Sequence, residues 1–358
     1  MGRGITLAKI AVYGAGSWGT ALAVSMGKAG HEVALVGRNL SEMDLMEQRR
    51  ENRPYLPGVV LPPTVRPTGD AGVLEEAEML VLSVPSHSVR ETAQKIRAYL
   101  QPGTIVVNTA KGLEEGSHKR LSQVLTEELP HHPIVVLSGP SHAEEVGKDM
   151  PTTVVVASQN SQAAEAVQDM LMTPKFRVYT NPDTIGVELG GAFKNIIALC
   201  AGFADGLGFG DNTKAALMTR GIAEITRLGA AMGGNPLTFA GLAGVGDLIV
   251  TCTSRHSRNH RAGVALGEGK PLEQVLKEVG MVVEGVRTTR VAYELSRQYE
   301  ISMPITEQAY QVLFQGADPR AAVSALMMRG KKHEIEEVAL IAMEQGSYQE
   351  NGPDDHGE

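Results

Sequence analysis

The stretch Ile10-Ala11-Val12-Tyr13-Gly14-Ala15-Gly16-Ser17-Trp18-Gly19-Thr20-Ala21-Leu22-Ala23 decides the fold. It reads as an apolar strand, then G-x-G-x-x-G, then the first turns of an amphipathic helix. Gly14 permits the tight turn. Gly16 lets a pyrophosphate approach the backbone, and Gly19 lets helix and strand pack closely. The helix N-terminus attracts the anion. A lone G-x-G-x-x-G is weak. Here it follows a strand and opens a helix, which is the context a dinucleotide site requires.

Outward from that stretch, short β-branched runs alternate with helical patterns. Strands are expected near 9–13, 33–36, 79–84, 104–108, 134–137, 153–157 and 176–179. Helices are expected near 18–29, 41–51, 88–98, 117–128 and 161–171. This alternation predicts βαβ units and a Rossmann-like, mainly parallel sheet with helices on both faces. Four prolines, Pro54, Pro57, Pro62 and Pro63, mark 53–63 as an irregular loop. From Thr184 onward the chain is Gly/Ala-rich and helical. Helices are expected at 184–206, 213–232, 236–250, 258–267, 271–279, 285–299, 304–315, 318–327 and 333–343. The expected organisation is an α/β domain over 1–183, an all-α substrate domain over 184–344, and a polar, disordered tail over 345–358.

Composition narrows the function. The chain has 358 residues, 33 of them basic and 41 acidic, for a net charge of −8. A nucleic-acid binder needs clustered cations, and none occur beyond isolated pairs such as Arg49-Arg50. With 42% hydrophobic and 21% charged residues, global disorder is excluded. One Trp, six Phe and eight Tyr mean that the core must be aliphatic. Two distant cysteines, Cys200 and Cys252, argue against a disulfide scaffold and for a cytoplasmic protein. No uninterrupted apolar window reaches about 18 residues, so no stable membrane insertion is expected. The histidines show no metal-ligand spacing, and no metal is expected. Met1-Gly2-Arg3-Gly4-Ile5-Thr6 fits a permissive myristoylation pattern, here read as a floppy lead-in.

The second strand ends at Val36-Gly37-Arg38. An NAD-specific site places an acid there, on the ribose hydroxyls. A guanidinium instead can hold a 2′-phosphate, so NADPH is the expected cofactor, with NADH as an alternative. The blander alternative for Arg38 is a solvated charge stacked on adenine, which would not discriminate between the two. Polar clusters end three later strands: Ser83–Ser86, Asn108–Gly112 and Ser138–Ser141. Carboxyl ends of strands line the ligand crevice, which puts Lys111 and Ser141 near the nicotinamide end.

In the helical half, Lys194 stands alone in an apolar stretch, 187–199. It is either snorkelling or functional; desolvation would lower its pKa toward neutrality. Asp247 and Thr251 share a helical face, four residues apart, although Asp247 could be only an N-cap. Asn212 is expected to cap the helix that follows it. Ser254–Arg261 combines cations, hydroxyls and an amide before a helix, which suits one phosphate group or an ordinary basic loop.

Together, Gly14–Leu22, Asn108–Gly112, Ser138–Ala143, Gly191–Asn195, Gly206–Lys214 and Gly246–Leu248 with Ser257–Asn259 resemble NAD(P)-dependent glycerol-3-phosphate dehydrogenases, most of all the bacterial type. The resemblance implies exchange of sn-glycerol 3-phosphate and dihydroxyacetone phosphate by hydride transfer, running as the reductase for phospholipid synthesis. It implies Lys194 as general base, Lys111 as a second cation at the reacting oxygen, and Asp247 as the residue that orients and charge-balances Lys194. Lys111, Gly139, Ser141, Lys194, Asp247, Ser257, Arg258 and Asn259 match substrate-side positions. Gly14, Gly16, Ser17, Trp18, Gly19, Arg38, Lys111, Ala143, Arg258, Val282 and Glu284 match cofactor positions. The family also suggests a homodimer.

Overall fold

A computed structural model describes residues 7–330. The lead-in at 1–6, the helix expected at 333–343 and the tail expected at 345–358 lie outside the described residues. β1 (Lys9–Tyr13) leads through the glycine turn into α1 (Ser17–Lys28). Then come β2 (Glu32–Val36), α2 (Leu40–Arg49), β3 (Val65–Thr68), β4 (Met79–Leu82), α3 (Val89–Ile96), β5 (Ile105–Asn108), α4 (Leu121–Glu128) and β6 (Ile134–Ser138). α5 (Ala143–Gly147), β7 (Thr152–Ala157), α6 (Ser161–Leu171) and β8 (Phe176–Asn181) complete the sheet half.

The strands form one eight-stranded sheet in the order β3-β2-β1-β4-β5-β6-β7-β8. Every pair is parallel except β6–β7. Chain order reverses between β1 and β4, which opens a crevice at their carboxyl ends. Central strands are buried along their length: Leu80, Val81, Leu82, Val106 and Val107 are wholly inaccessible. That follows from helices covering both faces. Among the described residues the buried Phe, Tyr and Trp side chains are Phe176, Phe193, Phe203 and Phe239, so the core is aliphatic as composition requires.

The seven expected strands are present, with ends within two residues of expectation. β3 was not expected. Its sequence, Val65-Arg66-Pro67-Thr68, carries a proline that cannot donate to a ladder. It survives because β3 is the edge strand, paired only to β2. α4 starts four residues later than expected, because the chain first turns back through a bridge between Leu113 and Arg120.

Beyond β8 the described chain is helical: α7 (Thr184–Gly206), α8 (Asp211–Ala231), α9 (Pro236–Phe239), α10 (Asp247–Thr253), α11 (Arg258–Gly267), α12 (Leu272–Val279), α13 (Glu284–Gln298), α14 (Pro304–Phe314) and α15 (Pro319–Met327). Two expectations need correction. Gly210, not Asn212, caps α8, whose first residue is Asp211. The helix expected over 236–250 is broken into α9, a π turn at Leu242–Gly246 and α10. There the backbone doubles back so tightly that a Cβ on Gly244 would lie 1.9 Å from the Phe239 carbonyl oxygen. α7 is long and apolar enough to cross a bilayer by composition, yet its 18-residue apolar stretch is buried inside the helical half.

α7 and α11 cross backbone to backbone. A Cβ on Gly202 would come within 2.1 Å of the His260 carbonyl oxygen, and one on Gly263 within 2.1 Å of that of Leu199. Gly206 and Gly267 repeat the contact one turn on. Gly202→Ala should therefore destabilise the protein by about 1–3 kcal/mol, the cost of overpacking a close helix crossing. Urea unfolding checks this; an unchanged midpoint would mean that the helices separate freely.

Candidate active site

The glycine turn has the shape that its spacing predicts. Gly14 adopts φ +116°, and a Cβ there would sit 2.4 Å from the Ser83 carbonyl oxygen at the end of β4. A Cβ on Gly19 would sit 2.0 Å from the Gly14 carbonyl oxygen. At Gly16 a Cβ would meet nothing within 4 Å. Two glycines are thus consumed by packing, and the middle one leaves an open backbone face at the start of α1. That cradle fits a pyrophosphate. Ser17 donates its hydroxyl to the Tyr55 carbonyl (2.7 Å). Trp18 is half-buried against the sheet core. Arg38 is exposed just beyond β2, within electrostatic range of Glu91.

Further along the carboxyl edge, three elements converge on one carboxylate. Lys111, in the loop after β5, donates to Asp247 Oδ2 at 2.6 Å. Lys194, in mid-α7, donates to Asp247 Oδ1 at 2.7 Å. Lys194 also donates to the Thr251 hydroxyl at 2.6 Å, and that hydroxyl donates to the Asp247 carbonyl at 2.6 Å. Lys111 makes a second bond to the Gly139 carbonyl (2.9 Å), which also accepts from Ser141 Oγ (2.9 Å). Asp247 is 1% exposed and Lys194 is 6% exposed.

Burial pushes the Lys194 ammonium down to a pKa of about 8, although Asp247 pulls it up; Lys111 adds to the lowering. Burial alone would raise the Asp247 carboxyl. The two ammonium groups outweigh that and hold it below the usual range. His142, at the entry to α5, is driven toward its neutral form by burial and by Lys194.

The α11 start is tied to this centre. Ser257 caps the helix, accepting from the His260 N–H (3.2 Å), and Arg258 follows it as an exposed residue whose guanidinium is nonetheless partly desolvated, which lowers its pKa. Asn259 donates to Asn195 Oδ1 (2.8 Å) and accepts from the Gly285 N–H (2.8 Å). The residue after Lys194 is thus bonded to the residue after Arg258. Glu284 opens α13 and takes the Ser86 N–H (3.2 Å) and hydroxyl (2.7 Å). Val282 lies half-buried just before it, and Ala143 is buried at the first turn of α5. Among the described residues no group of three or more His, Cys, Asp or Glu could hold a metal.

Two family models cover most of the chain. One, described as the N-terminus of NAD-dependent glycerol-3-phosphate dehydrogenase, matches residues 9–164. The other, described as its C-terminus, matches residues 183–324. The chain belongs to the NAD-dependent glycerol-3-phosphate dehydrogenase family. A relative from Pelotomaculum thermopropionicum, named glycerol-3-phosphate dehydrogenase [NAD(P)+], is 60% identical over 338 residues, covering 93% of this chain and 97% of that protein. Its namesake from Moorella thermoacetica is 61% identical over 328 residues, covering 91% and 98%. The crystal structure of glycerol-3-phosphate dehydrogenase from Coxiella burnetii superposes with a TM-score of 0.87 at 40% identity, covering 90% and 99%.

Within this glycerol-3-phosphate dehydrogenase fold, the sequence reading missed three polar partners. Ser86 as the donor to Glu284 and Asn195 as the acceptor from Asn259 are long-range pairings that no local pattern reveals. Asn52, which reaches the glycine turn, sits between Glu51 and Arg53 and looks like ordinary surface. One expectation follows from the open face at Gly16. Gly16→Val should fold and melt near the parent temperature but raise the NADPH dissociation constant at least about a hundredfold. Quenching of Trp18, the only tryptophan, reads the binding. Normal binding would remove the turn from the nucleotide site.

Proposed function

We propose that this family member works as a dihydroxyacetone phosphate reductase, preferring NADPH to NADH, and supplies sn-glycerol 3-phosphate for phospholipid synthesis. Hydride exchange between glycerol 3-phosphate and NAD(P) is the family's chemistry, and this chain performs it. The observation that carries the reading is the Asp247 carboxylate shared by Lys111 and Lys194. The nicotinamide, when bound, supplies or receives the hydride.

The protein's part is charge and proximity. Two cations share one anion, so the pocket keeps a surplus positive charge for a phosphorylated substrate. On this reading the Lys194 ammonium donates a proton to the C2 oxygen in reduction, and its free amine takes that proton back in oxidation. Lys111 stabilises negative charge on the same oxygen, so no metal is needed. Asp247 and Thr251 hold Lys194 in one rotamer. Arg258, with Ser257 and Asn259 beside it, takes the remote phosphate and holds C2 in place. On the cofactor side, Gly14, Gly16, Ser17, Trp18 and Gly19 receive the dinucleotide, and Arg38 supports a 2′-phosphate. Gly139 and Ser141 line the substrate side, with Ala143, Val282 and Glu284 toward the cofactor. The proposed homodimer rests on the family resemblance, and the proposed cytoplasmic location on cysteine usage.

The direct test follows reduced-nicotinamide absorbance with dihydroxyacetone phosphate, using NADPH and NADH in parallel. Faster loss of NADPH is the expected result. Equal rates would remove the argument from Arg38 and leave the reaction standing. Lys194→Ala should lower kcat by about 10²–10⁴, the usual contribution of a general acid or base, while NADPH still quenches Trp18. Near-normal turnover in that variant would remove Lys194 from the chemistry.

The pH profile gives a second check. Reduction uses the charged form, present below the pKa, so its kcat/KM should fall as pH rises through about 8. Oxidation uses the free amine and should rise through the same region. Asp247 raises the Lys194 pKa, so Asp247→Asn should move both limbs to lower pH. Limbs that stay in place would mean that another group titrates.

A further inference from the structure

Residues 50–61 connect α2 toward β3 without regular structure apart from a bridge between Glu51 and Val60. The segment is nonetheless anchored. Leu56, Val59 and Leu61 are buried, at 1%, 4% and 2% exposure. A Cβ on Gly147 would come within 3.1 Å of Leu56 and of Val59, so the loop packs against the end of α5. Asn52, 1% exposed, donates from Nδ2 to the Ala15 carbonyl (2.9 Å) and to the Thr20 hydroxyl (2.7 Å). Three residues on, the Tyr55 carbonyl accepts from Ser17.

We propose that Asn52 is a positioning residue for the dinucleotide, holding the Gly14–Gly19 turn in its binding shape. This rests on reading that turn as the dinucleotide site. Other groups of the turn are satisfied by neighbouring backbone: the Gly14 N–H bonds to the Val36 carbonyl, and the Gly16 carbonyl accepts from the Thr20 N–H. The Ala15 carbonyl lies between the two glycines, and the loop supplies its donor. An amide nitrogen carries two hydrogens, which match the two acceptors presented by Ala15 and Thr20. Without it, the buried Thr20 hydroxyl and the part-buried Ala15 carbonyl lose their donor and the turn gains alternative conformations. Binding must then order the turn before the pyrophosphate can approach Gly16, and that cost appears as lost affinity. The loop is a brace fixed by its own buried aliphatics, and its effect falls on the cofactor rather than on the substrate.

Two variants test this. Asn52→Asp keeps the shape of the side chain and removes both donors; Asn52→Ala removes the amide outright. In both, the NADPH dissociation constant from Trp18 quenching should rise about tenfold, with the cofactor KM following. The KM for dihydroxyacetone phosphate should move by less than about twofold. An unchanged dissociation constant in a variant that keeps its melting temperature overturns the proposal. So does a parallel rise in both KM values, the mark of a merely structural residue. Should neither variant fold, Thr20→Val gives up only one bond of the pair and decides by the same titration. A rise of about threefold supports the proposal, and no rise overturns it. Gly16→Val separates the two layers. Normal NADPH binding there would sink the reading of the turn itself. Lost binding there, with intact binding in the Asn52 variants, would sink only the role of Asn52.

Discussion

The Asp247 carboxylate, shared between two ammonium groups, is the constraint on which the rest of the site depends. Lys111 arrives from the sheet half; Lys194 and Asp247 arrive on α7 and α10. The buried Lys194 and the half-buried Lys111 would repel each other without an anion between them. A buried carboxylate with a single cation would keep unused acceptor capacity. Three groups together satisfy one another and join the two halves. The glycine-rich π turn before α10 serves this arrangement. It lets the chain pass close over α7, where a Cβ on Gly190 would lie 2.8 Å from the Ala243 carbonyl oxygen, and delivers Asp247 at the first residue of α10.

The same arrangement recurs along the seam. Glu188, on α7, takes the Ser122 N–H (2.8 Å), the Ser122 hydroxyl (2.5 Å) and an Arg120 N–H (2.7 Å) from the start of α4. Burial pushes its carboxyl up, and Arg120 and Ser122 pull it back. Glu284, on α13, meets Ser86. In each case an acid on the helical side finds donors in a loop or helix start of the sheet side. Such pairs add little net stability, because desolvation consumes most of their attraction. What they impose is register: a helix shifted by one residue would strand a buried charge. That register brings Lys194 and Lys111 to one point.

The sheet half was largely legible in the sequence, because parallel strands covered on both faces must be apolar runs and the glycine turn fixes where they start. β3 was not, since a proline in an edge strand reads locally as a loop. Lys194 and Asp247 could be singled out individually, one as a cation in an apolar helix, the other by its spacing to Thr251. Their contact is implied only by the family resemblance and by no local pattern, because 53 residues separate them and the broken helix between hides the geometry. Asn212 shows the opposite error. Its capping propensity is genuine, but Gly210 already supplies the extended residue that starts α8, at φ −88° and ψ −176°. Local preference is a weak guide where tertiary packing sets the helix start.

The electrostatics of Lys194 bear on direction. A group with a pKa of about 8 is mostly protonated at pH 7. On the proposed assignment, the resting enzyme therefore holds the form that reduction needs. Oxidation must start from the minor, neutral form. A fully solvated lysine would be charged as well, but it would hold its proton too tightly to act as a good acid. Burial in α7 weakens that hold, while Asp247 prevents the proton from being lost altogether. The balance between a desolvating helix and one carboxylate thus sets an acid strong enough to donate and basic enough to stay loaded.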